Sequence, residues 1–328
     1  MKKRRSMAES PSAGAIETKR ESYFGDFLKR LLKEKPLGTV GAVITLFLLF
    51  TGIFAGLLAP FGMNANWVGD YLAKPSRQFL FGTDNAGRDV FSRVIYGARI
   101  SVIVGLAATT ISTAMSVIIG VVSGYIGGTL DLVVQRFVDT WMCLPTLVVL
   151  LIIVNIVGPS MWSIIILLGL IYGIPGSRII RGAVIGIKEN VYVGAARAAG
   201  CSTARILVRH ILPNIMAPVV ILFSIRVPGV ILSEASLSFL GFGIPPPAPS
   251  WGGMLSGAGR TYMTQAPWLA IWPGLALAVV VYGVNMFGDA VRDLLDPRLR
   301  GGAGRFGSPG GSTAEASPSL ETKKGSSG

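Results

Sequence analysis

Residues 100–130 read ISVIVGLAATTISTAMSVIIGVVSGYIGGTL and carry no charged side chain, although Arg99 precedes them and Asp131 follows them. A helix needs about 20 mostly apolar residues to cross roughly 30 Å of hydrocarbon, and this run, rich in Val, Ile, Ala and Gly, is long enough. The stretch therefore predicts a transmembrane helix, and it makes the bilayer the main solvent of the chain.

Similar apolar runs lie on both sides of this one. They occupy residues 36–63, 214–242 and 268–288. Residues 140–177 are too many for one helix, and NIVGPS at 155–160 supplies a turn near their middle, so they predict a helical hairpin. The chain is 51% hydrophobic and only 14% charged, as expected when most of it lies in lipid. We therefore predict an all-α polytopic membrane protein with six transmembrane helices.

The net charge of +13 is concentrated outside the apolar runs, and its distribution predicts an orientation. Segments rich in Lys and Arg stay on the cytoplasmic side of a membrane. The tail before the first span is strongly basic, and the segment after the fourth holds six Lys and Arg against the single acid Glu189. The first external loop carries mixed charge. We expect a multi-pass protein of the inner (cytoplasmic) membrane with both termini in the cytoplasm.

The chain divides into six predicted segments. Residues 1–21 form a disordered cytoplasmic tail because they are polar and lack the aromatic content that would order them. The following five are an amphipathic helix at 22–35, the first transmembrane helix at 36–60, an external loop at 61–97, a membrane core at 98–292 with five spans, and a cytoplasmic tail at 293–328 that is disordered after about 301. The helix at 22–35 lies at the membrane interface or extends the first span.

Residues 191–213, VYVGAARAAGCSTARILVRHILP, form the most informative segment outside the membrane. Gly200 can close one short helix in a left-handed conformation, and a second can begin at Cys201 or Ser202. Small side chains in the first helix let another surface approach its backbone. Pro213 should end the second helix just before the next span. The element either docks a partner or packs on its own bundle.

This segment resembles the loop shared by permease subunits of ABC importers, where Glu-Ala-Ala is followed after three residues by Gly and later by Leu-Pro. Ala195, Ala196, Gly200 and the pair Leu212 and Pro213 match, whereas Gly194 replaces the usual Glu. The resemblance implies a cytoplasmic helix-turn-helix coupling loop at 187–213. Its expected contacts with the ATPases are Gly194, Ala195, Ala196, Arg197, Ala199, Gly200, Cys201, Ser202, Arg205, Leu212 and Pro213.

Other motifs are similar to those of the dipeptide and oligopeptide permeases, in the subunit type with the longer external first loop. FGTDNAGRDVFSR at 81–93 matches that subunit's external signature, and EASLSFLG at 234–241, PSWG at 249–252 and DAVRD at 289–293 followed by DPR also fit. The resemblance covers roughly residues 36–300. The signature residues are Gly82, Thr83, Asp84, Gly87, Arg88 and Asp89.

The resemblance implies a six-helix permease of the type I ABC importer kind that translocates peptides by alternating access. Its expected partners are a homologous permease subunit, two ATPase subunits at the cytoplasmic face, a peptide-binding protein outside and membrane lipid. Nucleic acid is not expected.

Two charges fall inside the fifth run. Arg226 and Glu234 are eight residues apart, about 12 Å along a helix and a quarter turn around it, so both can face one side. A buried ion costs several kcal/mol unless it is paired or wet. The two side chains therefore line a solvated translocation path or pair with other helices.

An enzyme is not expected. The only histidine is His210, in a basic segment, so a nucleophile in the membrane lacks a base. No Gly-rich loop ends in Gly-Lys-Ser or Gly-Lys-Thr, so ATP must be bound by partner subunits. No metal-ligand cluster and no cofactor site are predicted. An autonomous secondary transporter would show paired repeats and more intramembrane acids, and a requirement for a separate ATPase distinguishes the two classes.

Overall fold

The computed structural model describes residues 23–295, and for Tyr23, Phe24 and Asp26 it describes the backbone alone. Within this range every regular element is a helix, apart from an isolated bridge between Thr83 and Asp89. The predicted tails at 1–21 and 301–328 and the DPR motif lie outside the described residues. The helices are α1 (Tyr23–Glu34), α2 (Pro36–Ile53), α3 (Ala55–Leu58), α4 (Val90–Ile126), α5 (Gly128–Met142), α6 (Thr146–Val157), α7 (Met161–Lys188), α8 (Val191–Ala198), α9 (Thr203–Ile206), α10 (Met216–Phe239), α11 (Trp251–Met254) and α12 (Trp268–Leu295).

Five helical segments are long and apolar enough to cross a membrane: α2, α4, α7, α12 and the continuous stretch Thr203–Phe239. The prediction of an all-α polytopic protein is confirmed. The sixth span exists only if α5 and α6 count as one broken helix, since they meet at 89°. The break falls at Cys143, Leu144 and Pro145. Proline interrupts the helix there because it has no backbone N–H to donate.

The spans run between two ends of the bundle, which we name by their sequence. The loop end holds residues 59–89 and 240–267, and the basic end holds residues 188–215 together with the start of α2 and the end of α12. The predicted hairpin turn lies at the loop end, where α6 ends at Val157, Gly158 takes a φ of +92° and the Ser160 side chain caps α7. Turn chemistry therefore located this boundary correctly.

The helix α4 begins eight residues before the predicted core boundary at residue 98. Asp89 caps it, accepting hydrogen bonds from the Ser92 backbone nitrogen at 2.8 Å and from the Ser92 hydroxyl at 2.6 Å. The charged Arg93 and Arg99 suggested a loop, but both lie in the first turns of the helix. Charge indicates where the hydrocarbon ends, and a cap indicates where the helix begins.

The helices α4 and α7 approach each other closely enough for backbone contact. A Cβ atom on Gly120 would lie 2.6 Å from the Ser177 carbonyl oxygen, and one on Gly173 would lie 2.7 Å from the Met115 Cβ atom. The Ser116 hydroxyl donates to the Gly173 carbonyl oxygen at 2.7 Å. Small residues and serine hydroxyls are the usual means of bringing membrane helices into backbone contact.

The amphipathic helix α1 contacts the end of α12. Leu31 is buried against Ala290, and the Lys35 ammonium group lies 2.5 Å from an Asp293 carboxylate oxygen. Leu32 projects elsewhere and is 55% exposed. The apolar surface of α1 is therefore divided between the bundle and its surroundings.

Candidate functional site

The helices α8 and α9 form a two-helix element at the basic end, with its turn at Gly200. Gly200 has a φ of +76°, and its backbone nitrogen donates to the Arg197 carbonyl oxygen at 3.0 Å. The Cys201 nitrogen donates to the Ala196 carbonyl oxygen at 3.1 Å. These two bonds are the glycine-dependent helix stop that satisfies the last carbonyls of a helix. Ser202 then caps α9.

A small apolar cluster attaches this element to the bundle. Val193 in α8 and Ile206 in α9 are almost fully buried. The cluster also contains Tyr125, Ile180, Val184, Ile211, Ile215 and Leu222. The ring of Tyr125 lies under two cations, 5.7 Å from the Lys188 nitrogen and 5.9 Å from the Arg197 guanidinium carbon.

The opposite face of α8 is exposed. Gly194, Ala195 and Ala199 lie on it, Val191 is 89% exposed, and no atom lies within 4 Å of the place where a Gly194 side chain would begin. Arg205 is also exposed on α9. This surface combines small residues, an exposed valine and cations, and the apolar cluster around Val193 and Ile206 holds it against the bundle.

The prediction that Pro213 ends the second helix is wrong. A π-helical turn at Leu207–Ile211 and a 3-10 turn at Leu212–Ile215 connect α9 to α10 without a break. The Leu212 nitrogen donates to the Leu207 carbonyl oxygen, five residues back. The wider turn places Pro213 at the start of a new helical type, where its missing N–H costs little.

The predicted external signature folds into a compact loop at the loop end. Asp84 is nearly buried and accepts hydrogen bonds from the backbone nitrogens of Ala86 and Arg88 and from the Arg88 side chain at 2.6 Å. Arg93 lies 3.7 Å away. The Thr83 hydroxyl donates to the Asp70 carbonyl oxygen at 2.5 Å. Gly82 and Gly87 have positive φ values, which few other residues adopt.

A cavity of about 460 Å³ opens beside this loop. Its walls come from the signature loop, the hairpin turn and the segment between α10 and α12. The polar lining includes Asp84, Arg88, Arg93 and Ser238. The loop end therefore offers a charged recess between three parts of the chain.

Glu234 is 1% exposed in α10, at the end nearest this cavity. Its carboxylate accepts a hydrogen bond from Ser238 at 2.7 Å, and Ser250 is a second hydroxyl partner. Ser250 also caps α11, accepting from the Gly253 nitrogen. In this conformation Glu234 links α10 to the start of α11.

Arg226 faces a different neighbour, the helix α7. Its guanidinium carbon lies 5.5 Å from the centre of the Tyr172 ring, and both residues line a cavity of about 240 Å³ at the break between α5 and α6. The Tyr172 hydroxyl lies 2.6 Å from the Ser233 hydroxyl. The two charges of the fifth run therefore do not share one surface.

Sequence reasoning missed two ion pairs that hold α5 against α7. The Arg181 guanidinium donates two hydrogen bonds of 2.6 Å to the Asp131 carboxylate, and Arg178 pairs with Asp139. Next to them is an open polar recess of about 600 Å³. The sequence contains one indication of these ion pairs, because Asp131 and Asp139 are eight residues apart on one helix. Among residues 23–295 no cluster of His, Cys, Asp and Glu could hold a metal ion.

Comparisons with known proteins agree with this architecture. Residues 116–301, more than half of the chain, match the family described as binding-protein-dependent transport system inner membrane component. The dipeptide transport system permease protein DppC of Alkalihalophilus pseudofirmus is 36% identical over 269 residues, which cover 82% of this chain and 88% of that relative. The oligopeptide transport system permease protein OppC of Bacillus subtilis is 34% identical over 293 residues, which cover 89% of this chain and 95% of that relative. These matches agree with the five spans, the broken sixth and the exposed two-helix element. The chain therefore belongs to the family of inner membrane components of binding-protein-dependent transport systems.

Proposed function

We propose that this chain is a permease subunit of an ATP-driven ABC importer that moves peptides across the cytoplasmic membrane. The single observation that carries the proposal is the exposed face of α8, whose element continues through Thr203–Phe239 into a span. A force applied to α8 by another protein would pass through the turn at Gly200 into the stretch Thr203–Phe239, which runs as a continuous helix into the membrane core. Relatives named as dipeptide and oligopeptide permeases supply the substrate class.

In this proposal two ATPase subunits dock at the basic end. The contact surface consists of the coupling residues Gly194, Ala195, Ala196, Arg197, Ala199, Gly200, Cys201, Ser202, Arg205, Leu212 and Pro213. ATPase closure moves the two-helix element, and the spans re-pack between outward-open and inward-open states. The basic charge at this end supports a cytoplasmic location.

A peptide-binding protein would dock at the loop end, over the signature loop and the charged recess beside it. A homologous permease subunit would cover the apolar side chains that α5 and α6 leave exposed. These include Leu132, Val133, Phe137, Leu147 and Val148. Val138 is the only residue of α5 that is buried in the isolated chain, which suits a helix that packs against a second subunit.

The proposal is tested by reconstituting the chain in proteoliposomes with its partner subunits and loaded binding protein. We expect ATP-dependent uptake of peptides, and none when the ATPases are omitted. Uptake driven by an ion gradient without the ATPases would instead indicate a secondary transporter.

The orientation is tested in the same vesicles. With Cys143 and Cys201 replaced by Ser, a Pro159→Cys variant should react with an impermeant maleimide from the binding-protein side only, and an Ala195→Cys variant from the ATPase side only. The reverse pattern would contradict the proposed topology.

A further inference from the structure

Arg226 lies well inside a span and has no acidic partner among residues 23–295. None of the ion pairs found in this range includes Arg226. The Arg226 guanidinium instead lies over the ring of Tyr172. Ten residues of α10 precede it, which places it about 15 Å into the helix. A cation at this depth is costly unless it has a counter-charge or water. Its charge is therefore available to an anionic ligand that enters the cavity beside it.

The orientation of Tyr172 leaves the hydrogen-bond donors of Arg226 available. The Ser233 hydroxyl donates its single hydrogen to the Gly229 carbonyl oxygen at 2.8 Å. The Tyr172 hydroxyl must then be the donor to Ser233, and this bond fixes the position of the ring. The ring acts as a platform for one face of the guanidinium, whose N–H groups lie in its plane.

The cavity beside this pair has room for a small ligand. Its volume is about 240 Å³, and its other walls are mostly apolar, including Trp141, Leu144 and Ile171. Thr146, the first residue of α6, also lines it, and that helix end has no side-chain cap. Its unpaired backbone N–H groups add a partial positive charge to the charge of Arg226.

We propose that Arg226 and Tyr172 form a binding site for the carboxylate of the peptide in transit. The inference rests on the proposed import of peptides and names the group of the substrate that this chain recognises. Every unmodified linear peptide ends in a carboxylate, so one arginine can serve substrates with different side chains. The planar guanidinium binds a carboxylate through two parallel hydrogen bonds, and the apolar walls strengthen them by excluding water.

The test uses the complete importer in proteoliposomes, supplied with a mixture of dipeptides and tripeptides, each as the free acid and as the C-terminal amide. Uptake of each is measured by mass spectrometry and divided by its occupancy of the binding protein, measured separately. We expect wild type to prefer the acids by about tenfold, in line with a charge-assisted hydrogen bond. Arg226→Gln should lose this preference while loaded binding protein still stimulates ATP hydrolysis.

Two further variants complete the test. Arg260→Gln removes an exposed arginine at the loop end and should keep the wild-type preference. Arg226→Lys keeps the charge but not the paired donors, so it should assemble and show an intermediate preference. If the Gln variant does not assemble, the Lys variant tests whether Arg226 binds the carboxylate.

Three results would overturn the site: a wild-type importer that takes up acids and amides equally, an Arg226→Gln importer that keeps the preference, or Arg226 variants that reduce both forms alike. The last result would assign Arg226 to a carboxylate of the partner permease. If the wild-type importer took up no peptide, the proposed function itself would fail.

Discussion

The Arg181 guanidinium and the Asp131 carboxylate face each other across α7 and α5 in a two-bond pair, with both N–O distances at 2.6 Å. Planar pairs of this kind fix orientation as well as distance. Together with the pair of Arg178 and Asp139, it helps to fix how α5 lies against α7.

Breaking this pair should disturb the cycle of the importer without removing the chain from the membrane. We expect Asp131→Asn or Arg181→Gln to lower uptake by roughly fivefold, the factor that corresponds to about 1 kcal/mol. The exchange of both residues, Asp131→Arg with Arg181→Asp, should recover part of the loss. Arg136→Gln is the matched control, since that side chain is 78% exposed. If the two single variants, the double exchange and the Arg136→Gln control all showed equal uptake, α5 would be held by other contacts.

Gly200 should be the position of the two-helix element at which a side chain does most harm. Its φ of +76° penalises any Cβ atom by about 1–2 kcal/mol, although no neighbouring atom blocks the space. Gly200→Val should insert normally but lose most stimulation of ATP hydrolysis by loaded binding protein. Co-purification of the ATPases measures the same contact.

Gly194→Glu provides the comparison on the same helix. The position is exposed and empty, and Glu is the residue that the resemblance implies there, so we expect docking to be unchanged or stronger. Full stimulation in the Gly200→Val importer would remove the two-helix element from the coupling mechanism.

Glu234 should tolerate an amide better than a hydrocarbon. Gln keeps an oxygen that accepts the Ser238 hydrogen bond, whereas Leu leaves two buried serine hydroxyls without an acceptor, at a cost of about 1–3 kcal/mol each. We therefore expect Glu234→Gln to assemble with reduced uptake and Glu234→Leu to lower the melting temperature of the purified importer. Wild-type uptake by the Gln variant would show that the charge of Glu234 has no part in transport.

Asp84 should stabilise the signature loop. The carboxylate is 5% exposed and lies between Arg88 and Arg93, so Asp84→Asn leaves two cations without their counter-charge. Breaking a largely buried pair from one side costs about 3–5 kcal/mol. We expect a lower melting temperature and faster proteolysis within residues 61–89. Asp70→Asn is the control because its backbone carbonyl, rather than its carboxylate, accepts the bond from Thr83. Equal melting temperatures for the two variants would contradict this role.

Local chemistry made much of this fold predictable. The turn before α7 follows from Gly158 and the capping Ser160, and the stop at Gly200 follows from one glycine between two helical stretches. Hydrophobic length identified most spans for the same reason: each signal depends on neighbours within a few residues.

The parts that were missed depend on residues far apart in the chain. The placement of α5 against α7 depends on the ion pair between Asp131 and Arg181, which are 50 positions apart. The stacking of Arg226 on Tyr172 depends on how α10 is rotated against α7. Helical periodicity gives the faces of one helix, but it does not tell which face meets which neighbour.

The backbone contact between α4 and α7 limits how this protein can change shape. Where Gly120 meets Ser177 and Gly173 meets Met115, the two helices interlock, and sliding either one by a turn would drive side chains into the opposing backbone. The two helices must therefore move together as one rigid body. Bending is left to the joints beside it, at Pro145 and at Gly257, whose ψ of −107° already departs from helical geometry. Cross-links that restrain the backbone at Pro145 and Gly257, rather than between α4 and α7, should therefore hold the importer in one state.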